Sequence, residues 1–339
     1  MSFAPKPKAL RGLSGATWHG LLRLPAMRTG PTASPELGLD KAISPASQAY
    51  LLLVFTTLIW GANAVAARLA VGEVSPMFLT FMRWGISCVA LLLFARGPIR
   101  AHWRTLVPRW RSIALMGALG FTGFNALFYA AAHHTTAINI AILQGAIPVL
   151  VLIGSVIFFA TRVGALQWLG VLLTLVGIAV VASHGHLEQL TRLDFNIGDV
   201  WMIVAGALYA GYMLGLRQRP DVPAIVFFAA TALVACVVSL PLVAAEVAAG
   251  QFFWPTARGW AVIAFVGLLP SFVSQVTFIQ AVGIIGPARA GVFLNLVPIF
   301  GPLLALLVLG EPISLYHGVA LALVLGGIYI AERLGNRRA

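Results

Sequence analysis

Charge is what this sequence has least of. Of its 339 residues only 9% are Asp, Glu, Lys or Arg and 60% are hydrophobic, with a mean hydropathy of +0.94; soluble globular domains carry roughly 25% charge. A chain so poor in charge cannot cover itself with groups that water solvates, so its solvent is lipid. Acidic residues are scarcest, and Glu73, Asp199, Glu246 and Glu311 all lie near the ends of apolar stretches. That argues against a relay of buried carboxylates and against a membrane glutamate held under a cationic drug. Lysine is confined to the first 41 residues, which removes the fixed ammonium groups a sugar-phosphate or nucleotide-sugar pocket would use, although arginine can serve in their place. The two cysteines, Cys88 and Cys236, fall inside apolar stretches and read as small packing residues. H-E-x-x-H, G-x-S-x-G, Walker and Cys/His metal patterns are all missing, so the expectation is a protein that is not an enzyme and needs neither metal nor cofactor.

Long apolar runs are what the sequence does have. Ten stretches, about 48 to 70, 76 to 95, 112 to 132, 136 to 159, 165 to 183, 198 to 216, 222 to 246, 259 to 282, 287 to 309 and 314 to 332, follow one another between short polar breaks. Each is long enough to cross a hydrocarbon core of about 30 Å as a helix. The period-2 alternation of a membrane barrel is absent. The expectation is an all-α integral membrane protein of ten transmembrane helices.

The net charge of +12 is a topology signal, with no nucleic-acid partner implied. With the N-terminus cytoplasmic, Arg96, Arg100, Arg104, Arg109, Arg111, Arg162, Arg217 and Arg219 all fall in inside loops, whereas the outside loops hold Arg192 and Arg258. That bias places both termini in the cytoplasm of a multi-pass plasma (inner) membrane protein. Residues 1 to 45, rich in Pro, Gly, Ser and Thr with interspersed basic residues, read as a disordered tail without a signal-peptide core. Translation from Met27 is an alternative start.

Sliding the sequence against itself by 150 positions pairs Gly117 with Gly267, Phe128 with Phe278, Pro148 with Pro298 and Gly177 with Gly327. An offset of 149 pairs Trp60 with Tyr209, Asn63 with Tyr212 and Arg68 with Arg217. The two repeats, 46 to 183 and 198 to 333, hold five helices each. An odd number makes the second copy enter the membrane from the opposite side, an inverted arrangement suited to alternating access.

With Leu58-Ile59-Trp60-Gly61-Ala62-Asn63, the Ser75-Pro76 start of the second helix with Arg83 following, Pro148, and the string Pro298, Leu309-Gly310-Glu311-Pro312, Gly318 and Gly326-Gly327, the chain resembles the drug/metabolite transporter superfamily, EamA type. The resemblance implies a ten-helix carrier that exports amino acids or related small metabolites. The first-half equivalents of Gly310 and Glu311 are Ala160 and Thr161, a departure that favours a helix-start role for Glu311 over transport chemistry.

Arg83 is the leading site candidate, because a charge at the centre of a membrane helix costs roughly 2.5 to 3.5 kcal/mol and persists for a reason. It can hold a carboxylate as a forked pair or bond helix-end carbonyls. Its second-half counterpart is Ala230, so such a site is asymmetric. Trp60 and Asn63, Asn125 and Tyr129, Tyr209 and Tyr212, Gln275, Gln144 and Asn295 supply polar or aromatic groups that should turn inward around one chamber. His133 and His134, at the outer end of the third helix, can sense pH or simply lie at the interface. The expected function is secondary transport of a small molecule. A nucleotide-sugar or organic-anion antiporter is the alternative within that class, and a channel or membrane enzyme the alternative outside it. The oligomeric state is not legible.

Overall fold

The computed structural model describes residues 44–160, 162–185, 196–285, 290 and 293–330. The basic tail, the Met27 start, Arg192, Arg289 and the last nine residues therefore lie outside the described residues. What is described is helical throughout, with no strand. The helices are α1 (Pro45–Ala70), α2 (Pro76–Phe94), α3 (Arg96–Leu106), α4 (Trp110–Gly117), α5 (Phe124–Ala131), α6 (Ala137–Gln144), α7 (Ile147–Phe159) and α8 (Ala165–Ala182) in the first half. In the second half they are α9 (Ile197–Gly215), α10 (Ala224–Ala248), α11 (Ala257–Leu268), α12 (Ser274–Ile285), α13 (Val297–Leu309) and α14 (Leu315–Tyr329). Read as continuous rods, seven are apolar and at least 18 residues long, and Ala165–Val181, Phe293–Leu309 and Leu315–Tyr329 are shorter apolar helices.

The ends are set by the sequence. Ser44, Thr136, Asn196 and Thr256 cap α1, α6, α9 and α11 through their side chains, and Pro45 and Pro76 occupy the first turn, where no N–H is needed. α7 and α13 both end on a left-handed residue, Ala160 with φ 50° and Gly310 with φ 68°. Gly310 adopts this without penalty, whereas Ala160 carries a Cβ against the following carbonyl. Ala160→Gly should raise the thermal midpoint of the detergent-purified protein, a gain of about 1 kcal/mol, and Gly310→Ala should lower it.

Four expected helices are broken. A π turn over Ala118–Gly123 joins α4 to α5, and another over Leu269–Val273, carrying Pro270, joins α11 to α12. The fourth stretch is interrupted at Gly145-Ala146 between α6 and α7, and a 3-10 turn, Phe293–Leu296, precedes α13. Pro148 and Pro298 sit in the first turns of α7 and α13, so the breaks recur at the repeat offset. α3 was not expected. It presents Arg96, Arg100 and Arg104 to the outside, while Leu106 is buried and Ile99 packs against the bundle.

Packing is paired in the same way. α1 lies along α12 and α13, as α9 lies along α5 and α7, while α2 packs on α10 and α8 on α14. Gly61 makes the α1–α13 crossing close, since a Cβ there would lie 2.9 Å from the Gly301 amide nitrogen and 3.0 Å from Phe300 Cβ. Gly61→Val should therefore push these helices apart and lower both yield and melting temperature.

Candidate functional site

A cavity of about 340 Å³ lies at mid-height between the two halves, lined by Trp60, Asn63, Arg83, Asn125, Gln144, Tyr209, Gln275 and Asn295 among others. Tyr129 and Tyr212, expected in the same chamber, are not in its wall. Tyr129 is buried behind Arg83 and bonds it, and Tyr212 packs under Gly120 and against Phe121, 5.0 Å between ring centroids. The wall includes groups the sequence reading passed over: Trp84 stacked on Phe121 at 4.5 Å, Phe124 tilted on Tyr209 at 5.2 Å, Met213, and the helix breaks themselves through Gly145, Pro148, Pro270 and Pro298. The first turns of α7 and α13 thus border the cavity, and the positive ends of their dipoles favour an anion there.

Arg83 forms the roof. It is 5% exposed, yet it lines the cavity. Its Nε donates to Ser271 Oγ at 2.8 Å, its Nη1 donates to Tyr129 Oη at 2.6 Å and also to Asn125 Oδ1, and Tyr129 passes its own proton to Asn63 Oδ1 at 3.3 Å. The acceptors are themselves fixed, Ser271 donating to the Val266 carbonyl and Asn125 to that of Phe121. Nη2 has no hydrogen-bond partner among the described residues. No carboxylate stands in the cavity wall, and Arg83 is its one charged residue among those described. Among the described residues the site is a cation without a counterion, braced by neutral oxygens, with one donor edge free. Below it the amides of Gln275 and Asn295 make no side-chain hydrogen bond among the described residues, and Gln144 makes one long contact, 3.5 Å, to its own helix.

Other polar residues of the bundle do different work. Thr56 bonds Thr277 at 2.7 Å, joining α1 to α12, and Thr122 donates to the Ala235 carbonyl of α10. Trp201 packs edge-on against His134. His133 and His134 lie on the accessible turn after α5, and desolvation by its neighbours, then the charges of His134 and Arg68, hold His133 below the usual histidine range.

At the end of the bundle where α1 finishes and α2 begins, the halves are stitched together. Glu246 accepts from the Met77 and Phe78 amides at 3.1 and 3.2 Å, closing the start of α2 from α10. Glu311 accepts from the Ala137 and Ile138 amides, both at 3.1 Å, and lies 3.9 Å from Arg68. The expected helix-start role of Glu311 is thus played on α6 of the other half. Thr135 donates to Asp199 at 2.6 Å, Asn196 donates to the His134 carbonyl at 2.6 Å, and Ser75 exchanges two bonds with the Phe253 backbone. Asp199 and Glu246, near helix ends as read, are nevertheless buried between helices. At the opposite end, Arg109 on the Gln218 carbonyl at 2.8 Å is the corresponding link among the described residues. The cavity reaches toward that end, to Met213 on the last turn of α9 and Leu294 before α13.

Similarity places this architecture among known proteins. The chain is 25% identical over 295 residues to the uncharacterized transporter YyaM of Bacillus subtilis (strain 168), covering 84% of this chain and 93% of that one. It is 28% identical over 308 residues to a probable terminal-alkyne amino-acid exporter of Streptantibioticus cattleyicolor, covering 86% and 96%. A solved crystal structure shares the fold with a TM-score of 0.59 at 20% identity, covering 86% of this chain and 99% of that one. The model of the EamA-like transporter family matches twice, over residues 47–183 and 196–332. The chain is a membrane protein with a duplicated helical unit, and it belongs to the EamA-like transporter family.

Proposed function

We propose that the chain is a secondary carrier that crosses the plasma (inner) membrane ten times as two inverted five-helix repeats, 46 to 183 and 198 to 333, with both termini cytoplasmic. It moves small metabolites bearing one carboxylate, amino acids among them, outward by alternating access. The observation that carries this reading is Arg83: a buried guanidinium in the wall of the cavity between the halves, with no counterion and no acid opposite it among the described residues, and with its Nη2 unbonded there. An unpaired buried charge is costly, and an anionic ligand is what offsets it. The aromatic wall suits an apolar body, while Gln275, Asn295 and the weakly held Gln144 offer amides to a second polar group. One fixed charge matches one carboxylate, whereas a nucleotide-sugar diphosphate would meet a single guanidinium. The relative named as an amino-acid exporter supports the substrate class, and the distribution of arginines supports the orientation.

The test is uptake into proteoliposomes of a radiolabelled panel of amino acids, organic acids and cationic dyes. The expected result is saturable carboxylate uptake that shows counterflow. Movement of cationic dyes alone, or flux that does not saturate, would remove the carrier of anions in favour of a drug pump or a channel.

A further inference from the structure

The roof over the cavity is also a bond between the repeats. Arg83 on α2, Tyr129 and Asn125 on α5 and Asn63 on α1 belong to the first; Ser271, in the π turn before α12, belongs to the second. A path from the cavity out through the α1–α2 end must part α2 from that turn, and the Nε to Ser271 bond spans them. Bonds from a charged donor are roughly twice as strong as neutral ones, so the empty site holds itself shut.

The geometry of guanidinium adds a constraint. A carboxylate grips it with two parallel bonds, either side-on through Nε and Nη2 or end-on through Nη1 and Nη2. Among the described residues Nη2 is free, but Nε is taken by Ser271 and Nη1 by Asn125 and Tyr129. Any two-pronged ligand therefore gains one open donor and must displace a roof acceptor from another. A ligand that makes a single contact on Nη2 displaces nothing.

We infer that Arg83 is a latch released by its ligand: a carboxylate seated on Nη2 takes its second bond from Nε or Nη1, breaks one link of the roof, and so frees the α1–α2 end to open. The inference rests on the carrier reading above and assigns positioning roles to Ser271, Asn125, Tyr129 and Asn63. The empty carrier rests sealed at this end with its cavity reaching toward the other, and loading is what permits passage.

The experiment uses the full chain in liposomes with Cys88→Ala, Cys236→Ala and Ala67→Cys. Ala67 lies one turn beyond Asn63 on the same face of α1 and is 1% exposed, so its replacement reports opening through the rate of labelling by a maleimide that cannot cross the bilayer. Labelling should be slow without ligand, faster with benzoate, and unchanged by chloride. Adding Ser271→Ala should raise the ligand-free rate about tenfold, the loss of one hydrogen bond to a charged group, and Ser271→Thr, which keeps the hydroxyl, should restore the slow rate and so separate a lost latch from a lost fold. The latch is overturned if Ser271→Ala labels at the parental rate, or if benzoate does not accelerate labelling, while carboxylate uptake is intact. Labelling that responds as expected in a protein that transports no carboxylate would leave the latch standing and remove the carrier reading instead.

Discussion

Arg83→Ala should abolish saturable carboxylate uptake while the protein still purifies as a folded, monodisperse species. The substitution removes the cation that the ligand pairs with and leaves Ser271, Asn125 and Tyr129 to one another. Losing one partner of a buried, hydrogen-bonded charge pair costs about 2 to 5 kcal/mol, a fall of roughly thirtyfold or more in kcat/KM. Arg83→Lys is the sharper variant. It keeps the charge but offers one compact ammonium in place of a fork, so it should bind more weakly and fail to bridge the acceptors on α5 and in the α11–α12 turn together. Normal transport by either variant would make Arg83 a structural brace and return the anion site to the helix breaks.

The second large effect should fall on stability. In Glu311→Ala the Ala137 and Ile138 amides, at the start of α6 and buried, lose their acceptors together. Each unsatisfied group costs about 1 to 3 kcal/mol, so the melting temperature in detergent should drop sharply and yield should fall. Glu311→Gln retains one acceptor oxygen and should be intermediate. The surviving fraction of either variant should keep the parental KM, because Glu311 does not line the cavity. A changed substrate preference at unchanged stability would show that the carboxylate takes part in transport.

Much of this was legible in the residues, and the reasons differ from element to element. Hydropathy and length located the helices because lipid leaves the backbone no other partner. The self-offset exposed the duplication because Pro148 and Pro298 mark the same break twice. The breaks themselves were not legible, since in lipid a glycine or proline within an apolar run is as compatible with a continuous helix as with a π turn. α3 was hidden by its charge: in a reading tuned to apolar length, Arg96, Arg100 and Arg104 look like loop.

At the site, Arg83 and the amides stood out because buried polarity in lipid demands an explanation. Trp84 and Phe121 did not, because an aromatic residue in an apolar run has the same signature in a cavity wall as in a packed core. Tyr212 shows the converse, since as an aromatic with a hydroxyl in an apolar run it was expected to turn toward the chamber, whereas Gly120 opens a slot in which its ring is packed away. Exposure was the hardest property to read: Asp199 and Glu246 stand near helix ends, yet neighbouring helices cover them.

Glu311 carries a consequence for how the two copies depend on each other. Its carboxylate comes from the second copy and completes a helix of the first, while the first copy has Thr161 at the matching position. Two first copies set antiparallel would lack that acceptor at the start of both α6 helices. The dependence runs one way: the second copy supplies Glu246 and Glu311 to helix starts of the first, and the first copy, with Arg96 and Thr161 150 positions earlier, could not close its own helices as a homodimer without gaining a carboxylate at each.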